Sequence, residues 1–205
     1  MLMLLPRLRV GQEGNSPQPR FFLGECVEGL WKTSPAGQAR LPAGLNPNQR
    51  GPLQCGVAFV IREFKPEDFE VLWGMDQECF PPGIAYSKTE LKSFVRHRGA
   101  FTLVASDSNE GKLAGFIVVY GGLTGHVITI DVDPAARRTG VGSLMLRAAE
   151  ERLRGAGSRA VGLETAVDNL TALAFYKRHG YSVVRTWPRY YSNGVDALVM
   201  KKELG

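Results

Sequence analysis

From Val57 onward the chain alternates between two hydrophobic periods, one near two residues and one near 3.6, and the alternation lays out a sequence of strands and helices. Val57 to Arg62 is a short β-branched run. Lys65-Pro66-Glu67-Asp68 then supplies the proline and acids of a helix start, and Phe69, Leu72, Trp73, Cys79 and Phe80 recur at helical spacing until Pro81-Pro82-Gly83 breaks the pattern. A second helix is predicted from Ser87, whose hydroxyl and the Glu90 carboxylate form a capping box ahead of Leu91, Phe94 and Val95. Phe101 to Ala105 and Leu113 to Tyr120 read as a hairpin joined by the polar turn Ser106 to Lys112.

His126 to Asp133 alternates Ile128, Ile130 and Val132 against Val127, Thr129 and Asp131, which predicts a strand with one strongly apolar face. An amphipathic helix follows, with Val141, Leu144, Met145, Ala148 and Leu153 on one side, and it stops at Gly155-Ala156-Gly157. Ala160 to Thr165 is a further strand, Asn169 to His179 a short helix ended by Gly180, and Tyr181 to Thr186 and Asp196 to Lys202 are two closing strands around the turn Ser192-Asn193-Gly194. The order β-α-α-β-β-β-α-β-α-β-β predicts an α/β chain with a mixed sheet and helices on its faces.

Residues 1–55 break this regularity. They hold seven glycines and seven prolines without hydrophobic periodicity, and six Lys or Arg against three Asp or Glu, so they read as an irregular, disordered arm ahead of one domain at residues 56–205. That arm carries +3 of the net +5 charge; a solvated tail accounts for it better than direct nucleic-acid binding, although its basic excess is the one feature that favours RNA or a ribosome. It also fits an upstream extension of the reading frame. No apolar run reaches the roughly 20 residues a bilayer span needs, and Pro6 and Arg7 end the apolar Met1 to Leu5 run before it could serve as an export signal. The three cysteines, Cys26, Cys55 and Cys79, are far apart, odd in number and without histidines at ligand spacing. They suit a reducing, cytoplasmic setting and predict neither a disulfide framework nor a metal site.

Candidate chemistry concentrates in two places. Val132 to Ser143 puts the basic, glycine-bearing stretch Arg137-Arg138-Thr139-Gly140-Val141-Gly142-Ser143 between a strand and a helix, where the glycines let backbone approach a ligand and the helix's first N–H groups face an anion. It lacks the Gly-Lys-Ser/Thr of a triphosphate loop and the G-x-G-x-x-G of a dinucleotide fold. The second set is Leu163-Glu164, Asn169, Ala172, Tyr176 and Gly180-Tyr181, with Asn169 and Tyr176 two helical turns apart on one face. A carboxylate and a phenol can serve as base and acid in acyl transfer to an amine. A solvated strand glutamate, a packed tyrosine and Asn169 as a simple N-cap are the plainer alternatives.

The Arg-x-x-Gly-x-Gly loop, together with Leu-Glu and Asn-x-x-Ala-x-x-x-Tyr-x-x-x-Gly-aromatic, resembles the GNAT superfamily of N-acetyltransferases, and within it the bacterial ribosomal-protein alanine N-acetyltransferase branch. The likeness covers about residues 57–204. Glu78-Cys79-Phe80-Pro81 resembles that branch's first helix and loop, and Arg189-Tyr190-Tyr191 with Asn193-Gly194 its closing segment. The resemblance implies a mixed, mostly antiparallel sheet with helices on both faces and acetyl-coenzyme A as co-substrate. It implies that the backbone of Ile130, Asp131 and Val132 meets the pantetheine arm and thioester, that Arg138 to Ser143 cradles the pyrophosphate with Arg137 in support, and that Asn169 reaches the pantetheine. Glu164 would be the base and Tyr176 the acid, while Phe80, Pro81, Tyr86, Tyr190 and Tyr191 would border the acceptor. Many members carry a tryptophan after Phe-Pro where this chain has Pro82-Gly83-Ile84-Ala85-Tyr86, so the acceptor's identity stays open.

The expected activity is therefore acetyl transfer to the α-amine of a protein N-terminus, of the ribosomal-protein kind, by direct attack. Two alternatives stand beside it: acetylation of a small amine such as a polyamine or antibiotic, and a non-catalytic acyl-coenzyme A binding module. The second would be expected to lack the Glu164 and Tyr176 pair, and both residues are present. His97, His126 and His179 read as surface or edge residues.

Overall fold

Strands β1 (Phe59–Glu63), β2 (Ala100–Asp107), β3 (Leu113–Tyr120), β4 (Thr124–Val132), β5 (Ala160–Ala166), β6 (Ser182–Trp187) and β7 (Ala197–Glu203) and helices α1 (Phe69–Cys79), α2 (Lys88–Arg96), α3 (Val141–Gly155) and α4 (Leu170–Arg178) follow the predicted order. The computed structural model describes residues 58–80, 84–108 and 110–205, so the arm at 1–55 and Pro81 lie outside the described residues. Local chemistry explains several boundaries. At α2 the capping box forms in full: Ser87 N donates to Glu90 Oε2 at 2.9 Å and Glu90 N donates to Ser87 Oγ at 3.3 Å. At α4 the Ala172 N–H donates to Asn169 Oδ1 at 3.1 Å, which satisfies one of the orphan donors of that helix.

The strands form one sheet in the order β1-β2-β3-β4-β5-β7-β6, antiparallel throughout except for β4 beside β5. The parallel pair is short. It runs only from Thr124 opposite Ala160 to His126 opposite Gly162, and beyond that point the two strands have no ladder between them. Helices cover both faces: one apolar cluster joins the sheet to α3 and α4 through Met145, Leu146, Leu153, Ala172, Phe175 and Tyr176, and the other joins it to α1 and α2 through Leu72, Met75, Leu91 and Phe94. Each fully buried leucine among them contributes on the order of 1.5–3 kcal/mol.

β4 departs from the strict alternation read from its sequence. Val118 pairs with Thr129 and Val119 with Val127, which leaves Ile128 as an extra residue in β4, a β-bulge. Val127, Ile130 and Val132 therefore belong to the α3/α4 cluster and Ile128 to the α1/α2 cluster. Thr129 Oγ1 donates to Asp131 Oδ1 at 2.8 Å, so these two share a face as well. The expected grouping of Ile128 with Ile130 and Val132 is thus incorrect, because one inserted residue reverses the side to which everything before it points.

Candidate active site

The end of the β4–β5 ladder is where the candidate groups converge. Val161 and Leu163 of β5 face the α3/α4 cluster, so by alternation Glu164 faces the α1/α2 side, as does His126 next to inward-facing Val127. His126 Nε2 and Glu164 Oε2 lie 2.9 Å apart, with side-chain exposures of 27% and 13%. The pair lies where the ladder between the two strands ends. His126 was read from sequence as an edge residue; nothing along the chain indicates that it meets a carboxylate 38 positions later.

Tyr190 and Tyr191 stand on the same side, their rings 5.2 Å apart and edge to face, and they pack on the cluster that contains Phe80 and Tyr86. Burial pushes both phenols above their ordinary range, and the nearby Glu164 charge adds to it. Phe80 and Tyr86 are buried packing residues, Tyr86 edge to face with Phe94 at 4.9 Å. Four of the five residues expected around an acceptor thus come together, and the fifth, Pro81, is outside the described residues.

Tyr176 lies on the opposite face, within the α3/α4 cluster, edge to face with Phe175 and Tyr181. It is fully buried, its hydroxyl has no partner among the described residues, and burial raises its pKa well above the usual value. A phenol in this setting stays protonated. It can donate a proton to an anion brought beside it.

The glycine loop opens α3. After β4 the chain makes a 3-10 turn at Pro134–Ala136, in which Asp133 Oδ1 accepts from Ala135 N at 2.8 Å, and reaches Gly140, the N-cap, at φ +93°. That left-handed conformation favours glycine, and a glycine N-cap has no side chain to satisfy the first N–H groups of the helix. They lie at the positive end of a 15-residue helix dipole, a position that favours negative charge. Arg138 is exposed at φ +66° beside them.

Two expectations for this loop change. A Cβ on Gly142 would meet Val132 Cγ2 at 3.5 Å and Phe175 Cε2 at 3.7 Å, ordinary contacts within the protein, so the bare face of this glycine points inward and not toward a ligand. Arg137 also turns inward: its Nε donates to Val132 O at 3.2 Å and its Nη2 to Cys79 Sγ at 3.4 Å. It ties the loop to β4 and α1 instead of standing free for a phosphate. Asn169 is 8% exposed and already caps α4, whatever else it meets.

The gap between β4 and β5, the uncapped α3 terminus and the unpartnered Tyr176 hydroxyl fit a long ligand with an anionic middle and a reactive end. Among the described residues no group of three or more His, Cys, Asp or Glu is arranged to hold a metal, and no helix is long and apolar enough to cross a membrane.

A model of the acetyltransferase (GNAT) family matches residues 67–181. An uncharacterized protein of Mycobacterium leprae is 34% identical over 159 residues, 70% of this chain, and the chain spans only 40% of that relative's length. N-alpha-acetyltransferase 30 of Schizosaccharomyces pombe is 30% identical over 118 residues, 55% of this chain and 77% of the relative. The solved structure of Ard1 from Thermoplasma volcanium superposes with a TM-score of 0.65 at 29% identity, covering 72% of this chain and 98% of that one.

Proposed function

The chain belongs to the acetyltransferase (GNAT) family, whose members draw on acetyl-coenzyme A, and on that premise we propose that it acetylates the α-amine of a protein N-terminus, of the ribosomal-protein kind, by direct attack. Acetyl-coenzyme A supplies the activated acetyl thioester. The observation that carries the reading is the His126–Glu164 contact where the β4–β5 ladder ends, with the acceptor-side tyrosines on its own face and Tyr176 on the other. An amine arriving from the α1/α2 side meets a base, and a thiol leaving on the α3/α4 side meets an acid.

In this reading Glu164, through His126 or directly, accepts the ammonium proton. The backbone of Ile130 and the N–H of Val132, on the edge of β4 that β5 leaves, hold the reacting carbonyl and orient it, whereas Asp131 pairs with Phe116 of β3 and the Val132 carbonyl is engaged by Arg137 and Cys79. Gly140 to Ser143 receive the pyrophosphate on backbone N–H groups, with Arg138 and Thr139 beside them. Tyr176 donates its hydroxyl proton to the departing sulfur. Support for a peptide acceptor over a small amine comes from the paired tyrosines and from the relative named as an N-alpha-acetyltransferase. The test is acetyl transfer to short peptides differing at their first two residues, with polyamines alongside. Preference for a polyamine would refute the peptide reading.

A further inference from the structure

On one face of the sheet α1 lies over β3 and β4 and α2 over β2. Farther along that face Glu164 of β5 pairs with Val199 of β7, and Val199 pairs with Arg185 of β6. Partners across a ladder point to the same side, so the three side chains stand in one row on the face that carries the acceptor-side tyrosines. Val199 is half-buried and Arg185 is exposed.

A bulge puts Arg185 there. Val183 pairs with Met200, which belongs to the α3/α4 cluster, and the next pair is Arg185 with Val199, so Val184 is an extra residue in β6. Strict alternation from Val183 would have placed Val184 on the face of Glu164 and Arg185 on the opposite one. The inserted residue exchanges them. Trp187, two residues on, pairs with Ala197 and packs on the α1/α2 cluster beside Tyr190 and Tyr191, which marks the same side.

The guanidinium of Arg185 is held on an aromatic support, its carbon 4.8 Å from the centre of the Trp187 ring. It makes no ion pair among the described residues. The nearest charged side chains by register are already engaged: Glu164 lies 2.9 Å from His126, and Lys201, opposite Gly162 and Ser182, is 2.8 Å from Glu203. An arginine fixed on a ring and left without a carboxylate offers a flat fork suited to two parallel hydrogen bonds with one.

The row also sets a length. Adjacent strands lie about 4.8 Å apart, so Glu164 to Arg185 spans about 10 Å, and an extended chain covers about 3.3 Å per residue. An acceptor whose amine meets Glu164 and whose chain crosses the row brings its third residue to Arg185.

We propose that Arg185 is a specificity-determining residue that pairs with an acidic side chain at the third position of the acceptor, so that the preferred substrates are protein N-termini with Asp or Glu there. Glu164 at one end of the row and Arg185 at the other are then complementary to an ammonium followed by a carboxylate. The inference rests on the peptide-acceptor reading given above.

The experiment uses the full chain and three short peptides that differ only in having Glu, Ala or Lys as third residue. An exposed ion pair contributes up to about fivefold, and exchanging Glu for Lys replaces attraction by repulsion, so kcat/KM should favour the Glu peptide over the Lys peptide by about tenfold in the wild type. The difference should lie in KM and shrink as salt is raised. Arg185→Glu should reverse the order of the peptides, and Arg185→Lys should keep the order at a smaller ratio, since it retains the charge and loses the fork. A general disturbance of the edge strand would slow all three peptides alike and reverse nothing. Equal kcat/KM for the Glu and Lys peptides in the wild type, or a ratio that Arg185→Glu leaves unchanged, overturns the role of Arg185 and leaves the peptide reading intact. Failure of all three peptides, with acetyl-coenzyme A still raising the melting temperature, refutes the acceptor reading and this inference with it.

Discussion

Glu164→Gln should lower kcat on a peptide acceptor by about 10²–10⁴-fold at neutral pH, the usual contribution of a general base. The substitution keeps the shape of a side chain that is 13% exposed and lies 2.9 Å from His126 Nε2, so packing changes little while the proton acceptor disappears. The pH dependence of the loss is the sharper readout. A peptide α-amine with a pKa near 7.8 is about 2% neutral at pH 6 and more than about 90% neutral at pH 9, so the fraction that needs no base grows by about 60-fold. The Glu164→Gln deficit should shrink by up to that factor across the same range. His126→Gln should show a deficit of the same kind, and the double variant should lose little more than the worse single one, because two groups passing one proton act as a unit. The assay is steady-state acetyl transfer from pH 6 to pH 9 with coenzyme A affinity measured in parallel. A deficit independent of pH, or losses that multiply in the double variant, would refute the shared-base reasoning.

Tyr176→Phe should reduce kcat by about 10²-fold or more while leaving thermal stability equal or slightly higher, since the hydroxyl it removes is buried without a partner among the described residues; a large drop in melting temperature would show a structural role instead. Acetyl-coenzyme A should raise the melting temperature of the wild type by mass action. Gly140→Val should erase most of that shift, because a β-branched residue at φ +93° costs about 1–2 kcal/mol and displaces the N–H cradle, whereas Gly142→Ala should bind normally, its Cβ meeting only ordinary contacts; the reverse pattern in a thermal-shift titration would contradict the assignment. A chain beginning at Gly56 should keep folding and peptide turnover, as the arm's lack of a core-forming pattern predicts, and loss of either on truncation would overturn the domain boundary drawn at residue 56.

Local signals determined most of the architecture. The capping box of Ser87 and Glu90, the Asn169 cap, the glycines that close α3 and α4 and the two hydrophobic periods are interactions within a few residues, so the order of elements was readable directly, and the arginine-glycine loop with Leu163-Glu164 and Tyr176 pointed to the family. What the chain alone could not reveal is whatever depends on which strands lie side by side. His126 joins the site only because β4 runs parallel to β5 and their ladder stops at Gly162, and the bulge at Ile128 reverses a face that perfect alternation would have kept. Gly142 and Arg137 have residue types suited to a phosphate loop, yet α3 packs so that one faces Phe175 and the other reaches Cys79. Asp76 and Asp131 look like ordinary solvated acids in the sequence, yet both end fully buried once α1 is laid against the sheet, for desolvation is a property of assembled space and leaves no periodic trace along a sequence.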